Sequence, residues 1–120
     1  MHIDQLNHFA LHVSDLEKSI QFYQEILCLK QIDRPAFDFP GAWFQLGPGQ
    51  ELHLIASDAE SAEAIPNQGH TALRVQDIAQ AGAHLKAKGV EFRGPKPRPD
   101  GIPQIFLRDP DGHVIELTQL

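Results

Sequence analysis

The sequence predicts one α+β domain spanning residues 1–120, built from two copies of a βαβββ module, the first at about 1–60 and the second at about 66–120. Three observations predict it. The chain repeats itself, the hydrophobic period changes from two to about 3.6 soon after each copy begins, and clusters of glycine and proline cut the rest of each copy into short strand-like runs. At 120 residues the chain has the length of one compact domain.

The repeat is read first. Asn7-His8-Phe9-Ala10-Leu11-His12-Val13-Ser14-Asp15-Leu16 matches Gly69-His70-Thr71-Ala72-Leu73-Arg74-Val75-Gln76-Asp77-Ile78, with His, Ala, Leu, Val and Asp identical 62 positions apart. A second block, Gly49-Gln50-Glu51-Leu52-His53-Leu54, matches Gly112-His113-Val114-Ile115-Glu116-Leu117 at a spacing of 63. Two blocks in the same order at nearly equal spacing point to a duplicated unit. Each half has about 60 residues, a length at which burial is marginal for a unit alone, so the halves are expected to share a core or pair their sheets. Ala56 to Gln68 reads as their connection, with room for a helical turn.

The elements follow in order. Leu6 to Val13 is rich in β-type residues and reads as a strand. Ser14 with Glu17 has the form of a capping box, which starts a helix. Leu16, Ile20, Tyr23 and Leu27 then fall on one helical face, while Glu17, Lys18, Gln21 and Gln24 point away. Lys30 to Asp33, Trp43 to Leu46 and Glu51 to Ala56 complete the first copy as strands, separated by Pro35, Pro40, Gly41 and Gly47-Pro48-Gly49. In the second copy His70 to Val75 is a strand. Asp77 to Lys88 is a helix with Ile78, Ala81 and Leu85 inward, ended by Gly89. Val90 to Arg93, Gln104 to Arg108 and Val114 to Gln119 are strands. Pro95 to Gly101 reads as a proline-rich loop, and Asp109-Pro110-Asp111-Gly112 as a turn.

Composition excludes several functions. The net charge of −6, without a basic run, gives no electrostatic reason to bind nucleic acid or anionic lipid. No apolar run approaches the ~20 residues of a membrane span. Met1-His2-Ile3-Asp4 lacks a charged and then apolar leader, so no signal peptide is expected. A single cysteine, Cys28, closes no intrachain disulfide and fits a reducing cytoplasm.

Strand alternation selects the candidate site. His8, Ala10 and His12 share one face of their strand, and His70, Ala72 and Arg74 share the matching face of the repeat. These faces are too polar to pack on a helix and carry a small residue at their centre, as a cavity wall would. In the last strand of each copy His53 and Glu116 occupy equivalent positions among apolar neighbours. A carboxylate set among apolar residues needs a partner, because desolvation costs several kcal/mol. Imidazole nitrogens joined by one carboxylate suit zinc, nickel, copper or iron. His8, His53, His70 and Glu116 are therefore the candidate metal ligands. His2, His84 and His113 lack the repeat relation and are expected at the surface.

His8-Phe9-Ala10-Leu11-His12-Val13-Ser14-Asp15-Leu16-Glu17-Lys18-Ser19 with Phe22-Tyr23, and Phe106-Leu107-Arg108-Asp109-Pro110-Asp111-Gly112-His113-Val114-Ile115-Glu116-Leu117, resemble the opening strand and helix and the closing hairpin of the vicinal oxygen chelate superfamily. That superfamily includes glyoxalase I, extradiol dioxygenases, fosfomycin-resistance thiol transferases, methylmalonyl-CoA epimerase and bleomycin-resistance proteins. The resemblance implies paired βαβββ modules whose mostly antiparallel sheets form a cup around one divalent ion (Zn, Ni, Mn, Co or Fe(II)), often in a homodimer. The family's ligand positions fall on the four residues just selected. The resemblance puts His12 and Arg74 where relatives contact substrate, and gives Glu116 and His12 as candidates for proton transfer. It implies an isomerase or lyase acting on a small substrate that chelates the ion through neighbouring oxygens. There are departures. Bacterial glyoxalase I usually has glutamate where this chain has His53, asparagine where it has Ser57 and arginine where it has His12, which points away from a glutathione hemithioacetal. Extradiol dioxygenases use two histidines and one glutamate, which a fourth ligand at His53 would crowd. Bleomycin-resistance relatives bind drugs without metal, a role for which Phe37, Phe39, Trp43 and Phe44 would supply aromatic surface.

Overall fold

The computed structural model describes residues 1–64 and 69–120. The chain divides into two units, Met1–Glu63 and Ala64–Leu120. Unit 1 contains β1 (His8–Val13), α1 (Leu16–Gln21) with a π-helical continuation (Phe22–Ile26), β2 (Lys30–Ile32), β3 (Gly41–Gln45) and β4 (Glu51–Ala56). Unit 2 contains β5 (Thr71–Arg74), α2 (Ile78–Ala87), β6 (Phe92–Pro97), β7 (Pro103–Arg108) and β8 (Val114–Thr118). The fold class is α+β, two four-stranded mixed sheets with few helices. The sheets have the same plan. The order is β1-β4-β3-β2 in one and β5-β8-β7-β6 in the other, with the first and last strand of each unit parallel and the other pairs antiparallel.

The register shows how closely the units correspond. Ala10 stands opposite His53 and Ala72 opposite Glu116; Trp43 faces His53 and Phe106 faces Glu116. Alternation then sorts each sheet into two faces. Ala42, Phe44, Leu52 and Leu54 are buried on one face of unit 1, and Ile105, Leu107, Ile115 and Leu117 on the same face of unit 2. Each helix packs on its own sheet: α1 meets β3 and β4, and α2 meets β6, β7 and β8. The opposite faces carry Trp43, Glu51 and His53 in one unit, and Gln104, Phe106 and Glu116 in the other.

Several expectations need correction. The first helix is capped by Asp15, whose side chain accepts from the Lys18 amide, rather than by the Ser14–Glu17 box. Asp77 holds the same position in unit 2 and accepts from the Ala79 and Gln80 amides, so the cap repeats with the sequence. The first helix also widens. Leu27 N–H donates to Phe22 O and Leu29 N–H to Tyr23 O, and Cys28 adopts φ 57°, a left-handed conformation that glycine takes more readily. Its expected inward face, Leu16, Ile20, Tyr23 and Leu27, is nonetheless its less exposed one. The segment read as a proline-rich loop is partly strand, because β6 runs on to Pro97. As an edge strand β6 tolerates Pro95 and Pro97, whose missing N–H groups need not pair with a neighbour on the outer side. His113 is 7% exposed rather than at the surface. Its amide donates to Asp109 Oδ1, which folds the tight turn inward. Within the connection, Ala62 N–H donates to Asp58 O and forms a single helical turn, while 65–68 lie outside the described residues.

Candidate functional site

Each unit brings two of the four expected ligands together. In unit 1 the His8 and His53 rings stack, with centroids 4.1 Å apart and planes 18° apart. The other face of His53 lies flat on Trp43, at 3.8 Å and 1°. His53 Nε2 donates to Glu51 Oε1 at 2.9 Å, and His8 Nδ1 to Asn7 Oδ1 at 2.7 Å. In unit 2, His70 Nε2 donates to Glu116 Oε2 at 2.8 Å. Gln104 Nε2 donates to the other oxygen, Oε1, at 2.7 Å. Glu116 is 4% exposed, and the two donors answer the desolvation penalty that its position in a run of Val, Ile and Leu creates. His70 also meets the edge of Phe106 at 5.9 Å.

Donor chemistry and placement fit a divalent ion. Three imidazoles and one carboxylate form a common ligand set. Each pair spans the parallel strand pair of its unit: His8 on the edge strand β1 with His53 on β4, and His70, just before the edge strand β5, with Glu116 on β8. Among the described residues, neither unit by itself gathers three His, Cys, Asp or Glu side chains. The stacked rings of His8 and His53 are nearly parallel, so their in-plane lone pairs run alongside each other. Both can ligate one ion only if a ring turns out of the stack; His53 can do so through Nδ1 while Nε2–H still donates to Glu51.

His12 and Arg74 also occupy equivalent places, opposite Ile55 and Thr118. Both are exposed on the faces that carry His8 and Ala72. Asp58 is held below the ordinary carboxylate range chiefly by hydrogen bonds from Ser61, with a smaller pull from the charge of His12 nearby. Two side chains that hold the expected ligands, Glu51 and Gln104, carry no signal in the sequence that selects them, and Trp43, expected as aromatic surface, instead stacks on His53. Its link to the site is visible in the repeat, since it precedes Phe106 by the spacing of 63.

The aromatic cluster is smaller than expected. Phe44 is fully buried and adds no surface, because it points to the opposite face of β3 from Trp43. Phe37 and Phe39 are exposed and stacked at 5.2 Å, and the Arg34 guanidinium lies 4.9 Å from each ring. Unit 2 contains a cavity of about 600 Å³ whose lining includes His70, Glu91, Arg93, Phe106, Arg108 and Val114.

The model of the Glyoxalase/Bleomycin resistance protein/Dioxygenase superfamily matches residues 5–117. Lactoylglutathione lyase of Neisseria meningitidis serogroup A is 36% identical over 126 residues, covering 96% of this chain and 90% of its own. A Bacillus anthracis protein assigned to the glyoxalase family shares the fold, with a TM-score of 0.86 at 24% identity over 99% of this chain and 97% of its own. A mutant of the fosfomycin resistance protein FosX of Listeria monocytogenes, complexed with Mn(II) and 1S,2S-dihydroxypropylphosphonic acid, gives 0.81 at 26% identity over 98% and 93%. No helix among the described residues is long and apolar enough to cross a membrane. With its family model matched almost from end to end, the chain belongs to the glyoxalase/bleomycin resistance protein/dioxygenase superfamily.

Proposed function

We propose that the chain is a divalent-metal-dependent enzyme of the glyoxalase type, an isomerase or lyase acting on a small substrate with neighbouring oxygens. One observation carries this reading. Two pairs of metal-type donors, His8 with His53 and His70 with Glu116, recur in two units of the same plan: His53 and Glu116 at equivalent register positions, His8 and His70 at equivalent places in the sequence repeat. In the proposal these four residues hold one ion, supplied by a single chain or by the two chains of a homodimer. A relative named lactoylglutathione lyase and a FosX structure containing Mn(II) are consistent with it.

Such an ion, when bound, supplies Lewis acidity that stabilises an oxyanion by several kcal/mol. The chain supplies the rest. Glu116 is the proposed base. Its carboxylate is buried, and one oxygen stays oriented by Gln104 while the other takes the proton from the substrate carbon and returns it. His12 is the second candidate for proton transfer, and Arg74 a substrate contact. The departures at His53, Ser57 and His12 count against a glutathione hemithioacetal as the substrate.

The test is metal analysis of untagged protein prepared without added metal, alongside His70→Ala and Glu116→Gln. The expected result is bound metal in the parent and at least about a tenfold loss of affinity in each variant. Equal metal content in all three overturns the proposal.

A second reading is a metal-independent protein that sequesters an aromatic drug. The exposed Phe37–Phe39 stack, with Trp43 6.1 Å from Phe37, favours it. Drug-induced quenching of Trp43 that is indifferent to chelator would select this reading over the first.

A further inference from the structure

The face of the second sheet that carries Glu116 also carries an unusual pair of cations. Register and alternation place Arg93, Phe106, Glu116 and Ala72 in one row across β6, β7, β8 and β5. The next row holds Arg108 opposite Val114, with His70 just before the start of β5 on the same side. Both arginines, Phe106, Val114 and His70 line the cavity of about 600 Å³. Arg93 projects its guanidinium over the Phe106 ring, 6.0 Å from the centroid. Arg108 is pinned by one hydrogen bond, from Nη1 to Gly112 O at 2.8 Å, which fixes the guanidinium while leaving its other N–H groups for a ligand.

Neither arginine forms an ion pair among the described residues. The ion pairs there include His2–Asp4, His53–Glu51, His70–Glu116 and Arg98–Asp100, none of which involves either arginine. In a chain of net charge −6, two guanidiniums lining one cavity without a carboxylate partner are a departure from the average surface. Glu91 also lines the cavity, so the charge there is two cations against one acid, beside His70. Planar guanidiniums match the two-oxygen edge of a carboxylate or phosphonate, and the Phe106 ring offers a flat apolar contact for the carbon skeleton that bears it.

We infer that this cavity is an oxyanion subsite. Arg93 and Arg108 clamp a carboxylate or phosphonate of the substrate, Phe106 packs against its carbon frame, and the reacting oxygens are directed toward His70 and Glu116. The substrate class is therefore a small organic anion whose charged group is separate from its chelating oxygens. This deepens the proposed function and rests on it for the chemistry, but the binding itself needs no metal.

The experiment uses the full chain after chelator treatment, with phenylphosphonate and benzoate as anionic probes and benzyl alcohol as the neutral one, measured by isothermal titration calorimetry. The expected result is saturable binding of an anionic probe and at least tenfold weaker binding of the alcohol. Arg93→Gln and Arg108→Gln should each weaken the anion at least fivefold, while Arg98→Gln, outside the cavity lining, changes it less than twofold. Arg108→Lys keeps the charge but loses the planar fork and should fall between parent and Arg108→Gln. Thermal unfolding of each variant separates lost binding from lost folding, and Arg93, exposed on an edge strand, carries the test if Arg108 variants unfold. Equal binding of the alcohol, no binding of either anion, or full retention in both glutamine variants overturns the inference. If anions bind as described while the metal analysis fails, the subsite stands and the metal proposal falls alone.

Discussion

At the centre of one sheet stands an imidazole, His53. At the same register position of the other stands a carboxylate, Glu116. The surroundings differ as the two groups require. His53 is a flat, polarisable ring and is sandwiched between His8 and Trp43. Glu116 is an acid removed from water, and both of its oxygens receive N–H groups, from His70 and Gln104. One scaffold thus carries two unlike chemistries at one position, because stability comes from the opposite face of each sheet. There the units agree: Phe44 and Leu52 in one, Leu107 and Ile115 in the other, all buried and paired in register. The difference teaches that duplication fixed the positions of the donors, while local partners set what each position can hold.

The comparison can be broken most severely in the shared faces. Phe44→Ala should cost about 3–5 kcal/mol and the equivalent Leu107→Ala about 2–5 kcal/mol, read by denaturant unfolding. A loss below about 1 kcal/mol at either would show that the two faces do not bear stability alike. The donor faces come next. Gln104→Leu leaves a buried carboxylate oxygen without its donor and should cost about 1–3 kcal/mol. Glu51→Gln keeps an acceptor oxygen on a partly exposed side chain and should stay within about 0.5 kcal/mol. Similar losses at both would erase the contrast between a demanding carboxylate and an undemanding imidazole. The caps sharpen the comparison further. Asp77 accepts two amide bonds and Asp15 one, so Asp77→Ala should cost about 1–2 kcal/mol and Asp15→Ala about 0.5–1 kcal/mol.

The smallest effect concerns the connections between the second and third strands of each unit. In unit 1, Arg34 packs on Phe37 and Phe39 and donates to Phe39 O. In unit 2, Arg98 makes two bonds to Asp100, whose Oδ1 also accepts from the Ile102 amide. The Arg98 hydrogen bond first, then that amide, lowers the Asp100 carboxyl from 3.8 to about 2. A depressed carboxylate contributes its stabilisation above its ordinary value and loses it as the pH falls through the lowered one. The β6–β7 turn should therefore stay closed down to about pH 3 and loosen toward pH 2, while the Arg34 cluster, which forms no ion pair among the described residues, should not change over that range. A carbon-detected NMR titration of Asp100 with a midpoint near 4 would contradict this.

Much of the architecture was legible because two periodicities carried it. The 62- and 63-residue spacings gave the duplication, and strand alternation put His8, His53, His70 and Glu116 on the faces away from the helices. What stayed hidden depended on contacts between strands distant in sequence. Gln104 looks like any strand polar residue until β7 is set beside β8, and Glu51 until His53 turns its Nε2 toward it. Pro95 and Pro97 suggested a loop because single-sequence reading does not show that β6 is an edge. His113 looked like a surface residue because its burial depends on Asp109 folding the turn back on itself. Ser14 and Asp15 both make good caps, and only the backbone bond from Lys18 decides between them.

The most direct test of the central claim is a Co(II) titration of metal-free protein followed by visible absorption, comparing a substitution in each unit, His8→Ala and His70→Ala. If the two donor pairs serve one ion, the parent takes up one Co(II) per chain and each substitution alone abolishes the same absorption band. If either variant keeps the parent's band and stoichiometry, the pairs do not share an ion, and the proposed site is wrong.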